Sequence, residues 1–478
     1  MCPRLLSGEF NLESSRVKQS TESSKRPDLL NNPIPQTLWK MTLPMIIGMV
    51  MLMTFGLVDT FFIGMLGTEE LAAISFTFPV TFTVISLNIG LGIGTSAVIA
   101  RYVGAGQNTQ AKETATGALM LAFVLAIVLA VIGVLSIEPI FTLLGASEDL
   151  LVHIRDYMFV WYLAGVFLAM PMVGNSVLRA SGDTKTPSYI MAFGGFVNAL
   201  LDPLLIFGWG PVPAMGIQGA AIATLIAWGI GLVYILYLLA LKRHLMVPRL
   251  LTWSELKNST GGILKIGLPA AGANMLTPIS AGILTAIVAT YGPVSVAAWG
   301  VGGRLESIAS IVVLSLSMSL PPFISQNFGA NQLARVKQAY RLCVRFVLLW
   351  QLFIFAVMFM LSGVFASIFA AEQKVADLIQ LYLIIVPLGY GAQGVIILTN
   401  SSFNAMHKPM YALMLSVLRL FVFFVPISYL GSQLYALEGM FWAGILANVL
   451  TASVAYLWFR KVIQSQVEAL PVVAEVRG

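Results

Sequence analysis

Hydrophobic positions along this chain neither alternate nor form narrow amphipathic stripes. They run on in long blocks, separated by short polar or basic connections. The blocks lie at approximately 41–64, 73–100, 114–137, 150–179, 187–208, 216–241, 259–290, 295–326, 338–368, 376–404, 410–432 and 438–459. A helix needs about 20 apolar residues to cross the hydrocarbon core of a bilayer. Several blocks are longer, so those helices tilt, kink or extend past the core. Backbone exposed to lipid must satisfy its own hydrogen bonds, and continuous rather than alternating apolar runs predict helices instead of a barrel. The pattern therefore predicts an all-α membrane protein with twelve transmembrane helices.

The connections set the orientation. Lys40, Arg101, Lys112, Arg179 and Lys185 flank every second one; Lys242, Arg243, Arg249, Lys257 and Lys265 crowd the connection after the sixth block. Arg335, Lys337, Arg341, Arg345, Lys408, Arg460 and Lys461 continue that side, whereas the other side carries Glu69, Glu70, Glu138, Glu148, Asp149 and Glu438. All but Arg155, Arg304, Lys374 and Arg419 of the 27 basic residues fall on one side. Positive charge is retained in the cytoplasm, so both termini are expected there, in a multi-pass protein of the plasma (inner) membrane. Residues 1–35 have no apolar core of the kind a signal peptide needs and are expected to be a disordered cytoplasmic arm.

Composition narrows the classes. Of 478 residues 58% are hydrophobic and 10% charged, with mean hydropathy +0.87. Soluble domains carry about 25% charged residues, so a string of such domains is excluded. The net charge of +6 is spread along the chain beside the apolar blocks and does not suggest nucleic acid. Two cysteines, Cys2 and Cys343, cannot build a disulfide framework or a cysteine metal cluster. His153, His244 and His407 are too dispersed for a short-spaced site. No Gly-rich phosphate loop is present, so nucleotide hydrolysis does not power the chain directly.

The sequence also repeats itself at an offset of 225 residues. Leu43-Pro44 matches Leu268-Pro269; Gly67, Ala72 and Ala73 match Gly292, Ala297 and Ala298; Gly104-Ala105 matches Gly329-Ala330. Lys112 matches Lys337, Tyr157 matches Tyr382 and Asn175-Ser176 matches Asn400-Ser401; after a small deletion Pro187 pairs with Pro409 and Gly219 with Gly439. Each half holds six spans, an even number, so the halves share one orientation about an axis along the membrane normal. The expected organisation is an N-terminal lobe over 36–241, a basic linker over 242–258, a C-terminal lobe over 259–462 and a tail over 463–478. Such a pair of lobes encloses a central cavity.

Charged side chains inside the blocks are functional candidates, because a charge at mid-bilayer costs ~2.5–3.5 kcal/mol on insertion scales. Asp59 has only apolar or small neighbours and no basic residue within helical reach. Asn198 and Asp202 stand at i and i+4, on one helix face, and Thr224 adds a hydroxyl from the next block. Pro203 cannot donate to the carbonyl of Ala199, which leaves a spare acceptor beside Asp202. Two carboxylates, an amide and a hydroxyl suit a shared proton or a sodium ion, a hard cation that takes oxygen ligands. The bland alternative is that Asp202 caps a helix broken at Pro203. Arg304 and Glu306 are two apart and point to different faces. Glu306 either lines the C-lobe half of the cavity or pairs with Arg419. Pro44, four turns before Asp59, is a candidate hinge.

These residues, with the motifs around them, resemble the MATE multidrug and toxic-compound extrusion family, in its DinF-like branch. The carriers are LVDTFFIGMLG around Asp59, ARYVGAGQ after span two, VLRASGDTKTP at 177–187, NALLDPLLIFG at 198–208, GIQGAAIAT at 216–224 and SQNFGANQ after span eight. The resemblance covers about 36–462. It implies two pseudo-symmetric six-helix lobes and secondary active efflux of organic, often cationic, compounds in exchange for H+ or Na+. It assigns coupling to Asp59, Asn198, Asp202 and Thr224, with no other cofactor. The NorM-like branch carries an acid soon after the Leu-Pro of span seven. Here Leu268-Pro269-Ala270-Ala271-Gly272 and its continuation to Thr277 hold none, so a C-lobe sodium site of that kind is not expected.

A monomer handling small organic molecules in the lipid bilayer is expected, and no enzyme. A nucleophile–base pair or metal cluster is not visible. The principal alternative is a lipid-linked oligosaccharide or polysaccharide flippase, which would need several cavity cations where only Arg304 and Arg419 are available. A major-facilitator transporter would carry a basic Gly-Asp-Arg signature after span two, and a passive channel has no need of a buried carboxylate pair.

Overall fold

The computed structural model describes residues 28–468, apart from Leu250 and Ala371 and the side chains of Thr68, Glu69, Leu71 and Ala72. In the N-terminal half the helices are α1 Ile34–Gly64, α2 Thr68–Gly104, α3 Asn108–Leu135, α4 Ile137–Leu143, α5 Glu148–Ala180, α6 Lys185–Phe207 and α7 Gly216–Tyr237, the last extended by a π-helical turn Leu238–Lys242. The C-terminal half follows as α8 Trp253–Ala289, α9 Pro293–Ala309, α10 Ile311–Gly329, α11 Leu333–Met360, α12 Ser362–Phe369, α13 Gln373–Ile385, a 3₁₀ turn Val386–Gly389, α14 Tyr390–Ala405, α15 Pro409–Val417, a π-helical stretch Leu418–Phe424 and α16 Val425–Glu468.

Eleven stretches among the described residues are long and apolar enough to span a membrane. The last, Pro409–Glu468, folds back on itself. Tyr435 and Ala436 leave helical geometry, Ala436 with φ of 51°. That reversal makes two spans of one stretch, so twelve are present, with α9 and α10 together forming the eighth.

The internal repeat holds to the residue at many helix ends. A shift of 225 carries Gly64 to Ala289, Thr68 to Pro293, Gly104 to Gly329 and Asn108 to Leu333. It likewise carries Leu135 to Met360, the short α4 onto the start of α12, Glu148 to Gln373 and Ala180 to Ala405. The halves differ inside these bounds. α2 and α5 are continuous, while their C-terminal mates are interrupted at Ser310 and at Val386–Gly389.

The termini of the lobes differ from expectation at three places. Of the arm expected over 1–35, residues 1–27 lie outside the described part, but 28–35 are ordered. Asp28 Oδ1 accepts from the backbone N–H groups of Leu30 (2.9 Å) and Asn31 (3.2 Å), an Asx turn that delivers Pro33 to the start of α1. Leu29 is buried in the same apolar core as Val336 and Ala339 of the other half. The linker expected to reach 258 ends at Thr252, because Thr252 and Glu255 form a capping box that starts α8. Arg249 clamps Glu255 with two bonds of 2.8 and 2.7 Å and, with the cap, holds the Glu255 carboxyl down at about 2. The tail expected from 463 continues α16 to Glu468, and 469–478 lie outside the described part.

The two halves are interlocked at the basic end. Ile34, Leu38 and Met41 of α1 belong to the apolar core built by α10, α11 and α14 of the C lobe. Reciprocally, Ile263 of α8 belongs to the core of α2, α3 and α5. Gly104 and Gly329, repeat mates, sit where the lobes touch backbone to backbone; a side chain at either would overlap the Gln326 or Arg101 main chain. Hydrogen bonds stitch the same end. Thr42 pairs with Ser319 at 2.7 Å, Ser325 Oγ donates to Ala97 O at 2.7 Å, Gln326 Nε2 to Ala180 O at 2.7 Å and Asn327 Nδ2 to Leu29 O at 3.0 Å. Among the described residues, every side-chain hydrogen bond seen between the lobes lies in this half of the molecule.

Candidate functional site

α6 passes through Pro203 without a break, which discards the reading of Asp202 as a cap on a broken helix. The helix instead presents Asn198 and Asp202 together toward α7. Asn198 Nδ2 donates to Asp202 Oδ1 at 3.2 Å and to Thr224 Oγ1 at 3.3 Å. Thr224 in turn donates to the Ala220 carbonyl at 3.0 Å. Three of the four predicted residues are thus one hydrogen-bonded group, on two adjacent helices.

Asp59 reaches the same region from α1. Its charge acts on Asp202, and both act on the partly buried Tyr157 of α5. Asp202 is fully buried and Asp59 half-buried. Neither has an ion-pair partner among the described residues. Asp59 Oδ1 and Asp202 Oδ2 are both buried without any hydrogen-bond partner. Burying a polar oxygen without a partner costs ~1–3 kcal/mol by mutational measures, so two such oxygens from neighbouring carboxylates are a place for a positive species to go. Tyr157 was visible in the sequence as a repeat match but not as a member of this group; its signal was the pairing with Tyr382.

The C lobe builds a related group around its own acid. Glu306 of α9 accepts from Tyr382 Oη (3.2 Å) and from Gln393 Nε2 (2.9 Å). Those partners stand on either side of the 3₁₀ turn, and Glu306 itself precedes the interruption at Ser310 by one helical turn. The two C-lobe helix breaks therefore meet at this carboxylate. Of the two readings of Glu306, the ion pair with Arg419 is not made among the described residues. Arg419 Cζ lies 5.3 Å from the ring centre of Phe424, within the π-helical stretch, at a range where the charge of Glu306 still acts on it. Arg304 is exposed and bonds to no carboxylate among the described residues. Pro44 lies inside α1, which runs through it unbroken.

No group of three or more His, Cys, Asp or Glu with metal-site geometry occurs among the described residues. The geometry offers paired carboxylates in one lobe, a hydrogen-bonded acid in the other, and lobes closed on each other at the basic end.

The sequence model of the family described as MatE matches residues 44–204 and again 269–430, once in each lobe. The chain belongs to the MATE family. It is therefore a multi-pass transporter of small molecules, not an enzyme, and the two-lobed fold is that of its relatives. This MATE protein is 41% identical over 431 residues to a FAD transporter of Shewanella oneidensis, covering 90% of this chain and 95% of that one. It is 27% identical to the probable multidrug resistance protein YoeA of Bacillus subtilis, over 87% of this chain and 92% of that one. Among solved structures, the Vibrio cholerae MATE transporter VcmN in its bent form is 35% identical, with a TM-score of 0.86 over 91% of this chain and 98% of that one.

Proposed function

We propose that this MATE protein is a secondary active antiporter of the plasma (inner) membrane, exporting organic molecules in exchange for protons bound at Asp59 and Asp202. The observation that supports this most is the pair of carboxylates with no basic partner among the described residues, each keeping one buried oxygen unpartnered. A proton shared by two such groups removes the like-charge repulsion between them. Asn198 Nδ2 and the committed Thr224 hydroxyl suit a pair that alternates between ionised and proton-sharing forms. Sodium is the competing ion, since the same four side chains offer oxygens.

The positive-inside rule puts the basic end in the cytoplasm. The closed end then faces inward, as an outward-facing state of the cycle requires. In that state a proton enters from outside, the site contracts, and bound substrate leaves outward. Re-facing releases the proton to the cytoplasm while the lobes rock against each other.

The substrate class has two readings. Organic cations fit the multidrug relatives. An anionic dinucleotide is favoured by the 41% identity to the FAD transporter. The two differ electrically. One proton exchanged for one monovalent cation is electroneutral, whereas each negative charge exported gains about 2.3 kcal/mol per 100 mV of inside-negative potential. Proteoliposomes with pH, sodium and potassium-diffusion gradients imposed one at a time separate all of these. Uptake driven by a pH gradient and not by sodium supports proton coupling, and the reverse overturns it. Flavin dinucleotide transport that responds to potential supports the second substrate reading; cationic dye transport indifferent to potential supports the first.

A further inference from the structure

Each turn at the basic end carries a residue in the left-handed conformation, and after span six it is a histidine, His244 (φ 48°). After spans two, four and eight the residue in the left-handed conformation is Gly106 (φ 74°), Gly182 (φ 86°) and Asn331 (φ 58°). After span ten it is His407, φ 59°, at the repeat position of Gly182. Glycine takes this conformation freely and asparagine readily. Histidine, with asparagine, is among the side-chain-bearing residues that enter it more often than most.

The contact that holds it crosses between the lobes. His407 Nε2 lies 3.1 Å from the carbonyl oxygen of Ala97 on α2, the same oxygen that receives Ser325 Oγ. The C lobe thus grips one N-lobe carbonyl with two donors, beside the backbone contact of Gly104 with Gln326. The groups facing the ring are Arg101 from α2 and Lys265 from α8, both positive, with Lys408 following it in its own turn. No carboxylate among the described residues acts on it. Burial first, then those cations, push the imidazole down to about 4 from an ordinary 6.5, against the opposing pull of the Ala97 carbonyl.

We propose that His407 is a proton-sensitive latch on the closed basic end: neutral, it ties the C lobe to Ala97 of the N lobe; protonated, it favours parted lobes. When the lobes separate, the ring loses its carbonyl partner, gains water and moves away from Arg101, so it titrates in the ordinary histidine range. The sign follows. A base depressed in the closed state and ordinary in the open one adds to closure above pH 6.5. That contribution is lost as pH falls from about 6.5 toward 4. Between pH 7.5 and 5.5 the open-to-closed ratio therefore rises about tenfold. Acidification of the basic side would hold the transporter open to that side, independently of which ion the N-lobe carboxylates carry.

The test measures lobe separation directly. Spin labels go on the exposed Gln110 and Ala334, at the starts of α3 and α11, after Cys2→Ser and Cys343→Ala. Distances are recorded at pH 7.5 and 5.5, with Asp59→Asn also present so that N-lobe titration does not contribute. The expected result is a roughly tenfold rise in the ratio of long- to short-distance populations at pH 5.5. It should vanish in His407→Gln, a neutral donor, and in His407→Asn, which tolerates the left-handed turn as Asn331 does. Loss in only one of the two, with the other keeping the full response, overturns the proposal, as does an unchanged pH response in both. Because Asp59 is already neutralised, failure here leaves the coupling reading intact.

Discussion

Asp59 is the residue on which the transport account turns. It carries a charge into an apolar helix, has no basic partner among the described residues, and leaves Oδ1 buried and unpaired. Asp59→Asn keeps shape and removes the ionisable proton, so gradient-driven transport should fall to background while the protein still inserts and melts normally. Asp202 differs, because Asn198 already satisfies one of its oxygens. If both carboxylates serve one proton, their losses should not multiply. Asp59→Asn with Asp202→Asn should transport no worse than the worse single variant, measured as initial rate under a pH gradient. This site was largely legible in the sequence. The i, i+4 spacing of Asn198 and Asp202 and the absence of any nearby cation are one-dimensional facts. What was not legible is Tyr157, which joins through the packing of α5, and the partners of Glu306. Tyr382 and Gln393 come from opposite sides of a helix break that no pattern of apolar residues announces, and charge alone left cavity lining and an ion pair with Arg419 both open.

Helix limits in this molecule were readable to within about nine residues, because membrane spans owe their limits to apolar length and the repeat supplies each limit twice. The departures occur where polar side chains rather than length decide. The Thr252–Glu255 box starts α8 inside what composition marks as linker, and Asp28 folds a segment that composition marks as arm. The reversal between the last two spans rests on Ala436 at φ 51°. A non-glycine residue held in so sparsely populated a backbone region costs roughly 1–3 kcal/mol. Ala436→Gly should therefore raise the melting temperature in detergent and leave transport unchanged. α1 runs unbroken through Pro44 here, so the hinge reading places bending in another state of the cycle. Pro44→Ala is expected to preserve substrate binding and slow turnover; equal turnover would remove the hinge from the account without touching Asp59.

At the scale of the whole molecule, the two lobes divide the work. The N lobe carries the unpartnered acids, and the C lobe carries an acid already hydrogen-bonded and two guanidinium groups. They meet at the basic end through exchanged helix starts, where α1 packs on the C lobe and α8 on the N lobe. Gly104 makes that closure possible, so Gly104→Val should keep the lobes apart at this end and shift a spin-label distance distribution toward the open form. One proton moving down 100 mV and one pH unit supplies about 3.7 kcal/mol, enough to sustain a gradient of a few hundredfold in a neutral substrate. The most direct check of that coupling is to measure proton flux and substrate flux together in the same proteoliposomes. Wild-type protein should acidify or alkalinise the lumen in step with substrate movement, while Asp59→Asn binds substrate with unchanged affinity and moves no protons. Substrate-linked proton flux persisting in Asp59→Asn at the wild-type rate would contradict the account.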